Sequence, residues 1–330
     1  MDRLKVAVID DTQNLARQLA DWSQLDAIAD VGIFGRPFAD EDETARTLAP
    51  FDVIIPVRER TAFPASLIER LPNLKLLAMT GRRAPTFDIA ACTRQGILVS
   101  STGINSAAAT SELALTLMLA SARQLAAADA GMRAGRWHED LPTGYALSGR
   151  RLGIVGLGNL GARVAGFGRA LGMDVVAWSQ NLTAEAAEAK GASRVEKDEL
   201  FRTSDVVSLH LVLSDRSRGI VGRPELDAMK PGAILVNTAR SGLVDTPALL
   251  DALTQGRIQA GLDVYDEEPL PADHPLRSMR NVVLTPHLGY ATTAVIRQFY
   301  EESIENILGF AAGAPIRLVN PEALKTAAVS

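Results

Sequence analysis

The run Arg151-Leu152-Gly153-Ile154-Val155-Gly156-Leu157-Gly158-Asn159-Leu160-Gly161 constrains this chain more than any other. Leu152 to Val155 are apolar enough for a short buried strand. Gly156, Gly158 and Gly161 then fit G-x-G-x-x-G, and an amphipathic run through Leu171 predicts a helix. One glycine suits a tight turn, one lets backbone approach a pyrophosphate, and one lets helix pack on strand. The helix start adds free N–H groups and a positive dipole end for phosphates. Glycine-rich turns also occur without a ligand, so the bare motif is weak. Here strand, turn, helix and a second strand, Asp174 to Ala177, come in the required order, which predicts a dinucleotide site.

A chain of 330 residues has material for two domains and an enzyme-sized core. Net charge −5 and a pI near 5.5 oppose general binding to nucleic acid or anionic membranes. A single cysteine, Cys92, leaves no internal disulfide framework and suits a reducing cytosol. No membrane-type apolar span is present, and Asp2, Arg3 and Lys5 lead straight into a strand, unlike a signal peptide. Four histidines, none paired at ligand spacing, predict no metal site. A cytoplasmic enzyme fits these bounds.

Before the glycine-rich run, apolar segments Val6 to Ile9, Ala27 to Phe34, Asp52 to Val57, Leu74 to Met79 and Ile97 to Val99 alternate with helical ones. The helical segments are Thr12 to Ala20, Glu41 to Leu48, Pro64 to Leu71 and Thr86 to Gln95. Such alternation predicts an α/β fold with a parallel sheet covered on both faces. Gly103 and Asn105 punctuate its end, and a long helical stretch runs from about Ser106 to Ala134. That helix either crosses between domains, lines a subunit interface or is simply buried. Leu141 to Gly149 reads as a loop. After the glycine turn, the runs Asp205 to Leu211, Ala233 to Val236, Gln259 to Val264 and Val282 to Leu284 predict a second doubly wound sheet. Helical pieces Pro224 to Met229 and Thr246 to Gln255 lie between them. A last helix, Thr292 to Ala311, comes too late for that sheet and is expected to return to the first domain. The expected division is 1–103 with 291–330, and 104–290.

Three segments following strand ends carry chemistry. Arg240, in Asn237-Thr238-Ala239-Arg240, stands where doubly wound sheets bind ligands. Its planar guanidinium suits a carboxylate, although a surface arginine capping a loop fits the position equally. Asp263 ends an apolar run and is followed by Asp266, Glu267, Glu268 and Pro269, a pattern that also suits a solvated acidic loop. His287, in Pro286-His287-Leu288-Gly289, precedes a glycine that would let a ligand approach. A lone histidine is more often structural, yet it is the usual acid–base group near neutral pH. A carboxylate bonded to it would fix its tautomer, and Glu268 is the acid best placed for this. Together these groups suit hydride transfer to a carbonyl beside a carboxylate.

With these four motifs in order, the chain resembles the D-isomer-specific 2-hydroxyacid dehydrogenase family over nearly its whole length. The family includes D-lactate and D-3-phosphoglycerate dehydrogenases and glyoxylate/hydroxypyruvate reductases. The resemblance implies a flavodoxin-like substrate domain and a Rossmann cofactor domain with a cleft between them. It implies that Arg240 holds the substrate carboxylate and carbonyl, that His287 is the acid–base, and that Glu268 is its partner. Thr80-Gly81-Arg82 would give backbone N–H groups to the substrate carboxylate. Gly156, Gly158, Asn159, Leu160, Gly161, Thr238, Ala239, Arg240, Asp263, His287 and Gly289 would line the cofactor, with Asp263 near the nicotinamide. It also implies a homodimer, with the helix after Gly103 at the interface. Two positions depart from the family. Ser179-Gln180-Asn181 replaces the ribose-binding acid, so NAD is expected with NADP as the alternative, because no cation is visible beside Ser179. Val212 stands where a proline is frequent. The chain ends near Ser330, without the extension of longer phosphoglycerate dehydrogenases.

The expected activity is interconversion of a small D-2-hydroxy acid and its 2-oxo acid. One alternative is a non-catalytic dinucleotide-sensing partner protein, as in corepressors related to the family, although no tail for recruiting partners is visible. Another is a phospho-hydroxyacid dehydrogenase, which would need extra cations such as Arg82 and Arg83.

Overall fold

The computed structural model describes residues 3–82, 85–103, 106–139 and 143–327. Asp2, Arg83, Asn105, Leu141 and Ser330, singled out above, lie outside the described residues. The chain divides into two compact units, Met1–Asn105 with Thr292–Ser330, and Ser106–Ala291.

In the first unit, short apolar runs become the strands β1 (Leu4–Ile9), β2 (Ala29–Ile33), β3 (Val53–Pro56), β4 (Leu76–Ala78) and β5 (Leu98–Ser100). They pair in parallel in the order β2-β1-β3-β4-β5. A sheet covered on both faces needs apolar residues at consecutive positions, and Val6 to Ile9 and Val53 to Ile55 are fully buried. Phe63 and Phe87 meet edge-on at 5.1 Å within this core. Cys92 lies there too, and burial, then the charge of Asp88, push its thiol up to about 12. The helical spacing from Thr12 yields only the single turn Ala16–Leu19. Asn14 takes a positive φ of 54°, and the Asp11 carboxylate instead accepts the N–H groups of Leu15 and Ala16, so the helix starts no earlier.

Side-chain hydrogen bonds tie the C-terminal segment to this sheet. From the helix Thr293–Ala311, Tyr300 donates its hydroxyl to Asp11 Oδ1 at 3.0 Å. Further on, buried Asn320 does the work of a strand at the β5 edge. Its Oδ1 accepts from Val99 N–H at 2.7 Å, and its Nδ2 donates to Ile97 O at 3.0 Å.

The second unit contains β6 (Arg151–Val155), β7 (Asp174–Trp178), β8 (Ser193–Arg194), β9 (Val206–Leu209), β10 (Ile234–Asn237), β11 (Gln259–Leu262) and β12 (Val282–Leu284). Their order is β12-β11-β10-β9-β6-β7-β8, all pairs parallel. The order reverses between β6 and β9, the switch point at which doubly wound sheets open a ligand crevice. The single helix expected from Ser106 to Ala134 is two, Ala107–Ala122 and Leu125–Arg133. The break falls at Gln124, whose φ is 55° and whose side chain donates to Gln259 Oε1 at 2.5 Å.

Removing the Asn320 amide strands two buried backbone groups. Asn320→Ala is expected to lower stability by about 2 kcal/mol in urea unfolding.

Candidate active site

The glycine turn leaves β6 at the switch point, and its three glycines meet different constraints. Gly156 has φ 99°, and a Cβ there would stand 2.9 Å from the backbone of His210 and Leu211 at the end of β9. At Gly161 a Cβ would stand 2.1 Å from Gly156 O, so helix and turn pack without room for a side chain. Around Gly158, in contrast, a Cβ would meet nothing within 4 Å. The helix Asn159–Ala170 starts there with no side-chain cap, and the N–H groups of Asn159, Leu160 and Gly161 have no hydrogen-bond acceptor among the described residues. The hydroxyl of Thr238 is buried and makes no hydrogen bond among the described residues. An open cradle, uncapped donors and an orphaned hydroxyl fit a bound dinucleotide.

Ser179 directly follows β7, whose Trp178 O accepts from Gly156 N–H at 2.8 Å. At the end of β10, buried Asn237 shapes the next turn. Its Oδ1 accepts from Ala239 N–H and its Nδ2 donates to Arg240 O, both at 3.0 Å. This brings Arg240 out of the strand half-buried, with Nη1 donating to Ala239 O at 2.8 Å.

Asp263, fully buried after β11, holds the loop that carries the histidine. Its Oδ1 accepts from Thr285 Oγ1 at 2.6 Å and Leu288 N–H at 2.7 Å, and its Oδ2 from Gly289 N–H at 2.9 Å. Burial raises its carboxyl, and these donors offset only part of the rise. Within that loop His287 has φ 54°, a conformation rare for a side chain larger than glycine. Its Nδ1 lies 2.6 Å from Glu268 Oε2, and Tyr265 N–H donates to Glu268 Oε1 at 2.9 Å. Burial alone would raise the Glu268 carboxyl. The hydrogen bond and charge of His287, the Tyr265 N–H and the charge of Arg240 outweigh it and hold the group below the usual range. Arg240, Glu268 and His287 therefore share one electrostatic neighbourhood. His287 Nε2 makes no hydrogen bond among the described residues.

Other residues fall into place differently. His210 is buried with Nε2 2.9 Å from Ser208 Oγ, and burial lowers it to about 4, so it is a neutral packing group at the switch point. Thr80 and Gly81 belong to the first unit. Thr80 Oγ1 accepts from Arg58 N–H and donates to Pro56 O, while Gly81 N–H is engaged by Thr102 Oγ1 at 2.7 Å. The Gly81 donor expected for a substrate is thus already bonded within the fold, and Arg82 beside it is exposed. In the sequence Tyr265 reads as an ordinary aromatic and carries no functional signal. Its hydroxyl lies 3.1 Å from Leu262 O and 2.9 Å from Thr285 O, so it joins the ends of β11 and β12. Among the described residues no cluster of three or more His, Cys, Asp or Glu could hold a metal, and no helix is long and apolar enough to cross a membrane.

A dinucleotide cradle at the switch point, with an imidazole–carboxylate pair and an arginine on neighbouring strand ends, gives the class: a nicotinamide-dependent oxidoreductase. The family model described as "D-isomer specific 2-hydroxyacid dehydrogenase, NAD binding domain" matches residues 115–289. A glyoxylate reductase of Aeropyrum pernix is 40% identical over 268 residues, 78% of this chain and 80% of that protein. A D-3-phosphoglycerate dehydrogenase of Archaeoglobus fulgidus is 35% identical over 84% of this chain but only 52% of its own length. The crystal structure of a phosphoglycerate oxidoreductase from Vibrio cholerae superposes with a TM-score of 0.89 at 39% identity, covering 94% of this chain and 100% of that one. The chain belongs to the D-isomer-specific 2-hydroxyacid dehydrogenase family.

The glycines separate folding from binding. Gly161→Ala is expected to lose about 2–3 kcal/mol of stability in denaturant. Gly158→Ala should keep the unfolding midpoint and weaken NADH binding at least about tenfold by calorimetry, because its Cβ would fill the cradle.

Proposed function

We propose that the protein is an NAD(P)-dependent oxidoreductase that interconverts a small D-2-hydroxy acid and its 2-oxo acid. The observation that carries this reading is the 2.6 Å contact between His287 Nδ1 and Glu268 Oε2, which leaves Nε2 for a substrate oxygen. Glu268, ionised at neutral pH, fixes the tautomer and orientation of the imidazole through its Nδ1 contact. In reduction His287 gives its proton to the carbonyl oxygen of the oxoacid, and in oxidation it takes that proton back. Arg240 binds the substrate carboxylate and polarises the adjacent carbonyl. When bound, the reduced nicotinamide supplies the hydride received by the carbonyl carbon. Gly156, Gly158, Asn159, Leu160 and Gly161 hold its pyrophosphate, Thr238, Ala239 and Gly289 border the ring end, and Ser179 meets the ribose. Asp263 acts through the His287 loop. For Thr80, Gly81 and Arg82 a part in substrate binding rests on family resemblance alone, and the Gly81 N–H is already given to Thr102 Oγ1.

The glyoxylate reductase relative supports a small substrate without phosphate. A homodimer is part of the same reading, supported by Leu119, Leu125, Met132 and Trp137, large apolar side chains exposed on and just after the helices Ala107–Ala122 and Leu125–Arg133. The buried thiol of Cys92 suits a cytoplasmic location.

Purified protein given glyoxylate, hydroxypyruvate, pyruvate and 2-oxobutyrate with each reduced cofactor should oxidise at least one cofactor. No turnover across that panel would reject the reading. Arg240→Ala should raise KM for the oxoacid and lower kcat, together on the order of a hundredfold or more in kcat/KM. His287→Ala should lower kcat by about a hundredfold or more with little change in KM. His287→Asn is the cleaner companion, since asparagine tolerates the left-handed backbone at that position. Unchanged turnover in these variants would remove the assigned roles.

The sign of the pH effect follows from the depressed Glu268 carboxyl, which is ionised well below neutrality. As pH falls through that depressed range the carboxyl protonates and loses its hold on the Nδ1 side of His287, so the wild-type rate should fall at acid pH. In Glu268→Gln that acid fall-off should be absent from the rate profile. An unshifted profile would deny Glu268 this part.

A further inference from the structure

We infer that the nucleotide site accepts a 2′-phosphorylated dinucleotide, NADPH, with Lys190 as the cation that meets the 2′-phosphate. This deepens the oxidoreductase reading and rests on it. In a doubly wound sheet the adenosine ribose lies at the end of the strand after the glycine turn, where an acid selects the free 2′-hydroxyl and a cation the phosphate. That strand is β7, and its end carries Ser179, Gln180 and Asn181, with no acid to repel a phosphate.

The fold brings cations to this edge that adjacency in sequence cannot reveal. Lys190 follows the short helix Ala184–Glu188, and its Nζ donates to Leu157 O inside the glycine turn at 2.7 Å. The same turn is bonded through Gly156 N–H to Trp178 O, the residue before Ser179. Arg194, on β8, reaches over the Ser179–Leu182 turn, its Nε donating to Leu182 O at 3.0 Å. Lys197 sits over the Trp178 ring at 5.8 Å.

These three cations differ in how their charge is balanced. Arg194 is paired with Glu196 at 2.9 Å, and Lys197 with Glu225 at 2.8 Å. Lys190 has no carboxylate partner among the described residues, and the acids Glu185 and Glu188 on the preceding helix make no ion pair with it. Its ammonium is tethered only by a carbonyl, on an exposed, rotatable stem. A phosphate would exchange that neutral acceptor for a charged one, and a charge-assisted hydrogen bond is about twice as strong as a neutral one. A neutral turn with an unbalanced cation beside it is the arrangement that favours the 2′-phosphate.

The test uses the full-length protein and reads binding. Calorimetry with 2′,5′-ADP and 5′-AMP isolates the 2′-phosphate from the rest of the cofactor. We expect 2′,5′-ADP to bind about tenfold more tightly than 5′-AMP at low salt. Lys190→Gln should erase most of that ratio by weakening 2′,5′-ADP alone, and Lys190→Arg should retain it. Equal binding of the two nucleotides by the unmodified protein, or an unchanged ratio in Lys190→Gln, overturns the inference and leaves the oxidoreductase reading standing. Binding of neither 5′-AMP nor NADH overturns both.

Discussion

A carboxylate with no solvent contact, Asp263, is the fixed point of the second unit's candidate site. A buried charge is tolerable only where hydrogen bonds replace water. Here they come from one hydroxyl and two backbone N–H groups, all on the segment from Thr285 to Gly289. The compensation Asp263 requires is thus also what immobilises the loop bearing His287. Tyr265 adds a second tie, with its hydroxyl against two strand-end carbonyls and its N–H on the outer oxygen of Glu268. Imidazole and carboxylate are each gripped from behind before they meet.

That grip explains how a histidine persists at φ 54°. A non-glycine residue held there costs on the order of 1–3 kcal/mol, which the surrounding bonds must cover. In return the ring is aimed by the backbone as well as by its rotamer. The same economy operates at the glycine turn. Gly156 and Gly161 are closed in by backbone, and only Gly158 opens outward, so one short segment both seals the β6–β9 switch point and exposes donors.

Much of this could be read from sequence because a parallel sheet writes itself as buried apolar runs. The strand before Gly156, the helix after it and the candidate residues Arg240, Glu268 and His287 all lie beside such runs. Other features have no local signature. The two-residue strand Ser193–Arg194 is exposed and carries no apolar pattern. The helix break at Gln124 depends on a partner, Gln259, in a distant strand. Asn320 looks like any loop asparagine until it is seen bonding to β5. Lys190 and Leu157 stand 33 residues apart, so a rule that inspects only the neighbours of Ser179 finds no cation. Sequence patterns report what a segment buries and say little about what reaches it from elsewhere.

The isolation of Cys92 has a practical side. Its sulfur sits in the first sheet's core, and burial keeps it in the unreactive thiol form far above neutral pH. To maleimides and other thiol-directed labels the folded chain is therefore blank. A cysteine introduced on either unit's surface would be the single point of attachment, so a fluorophore or spin label can be placed there without first removing the native sulfur.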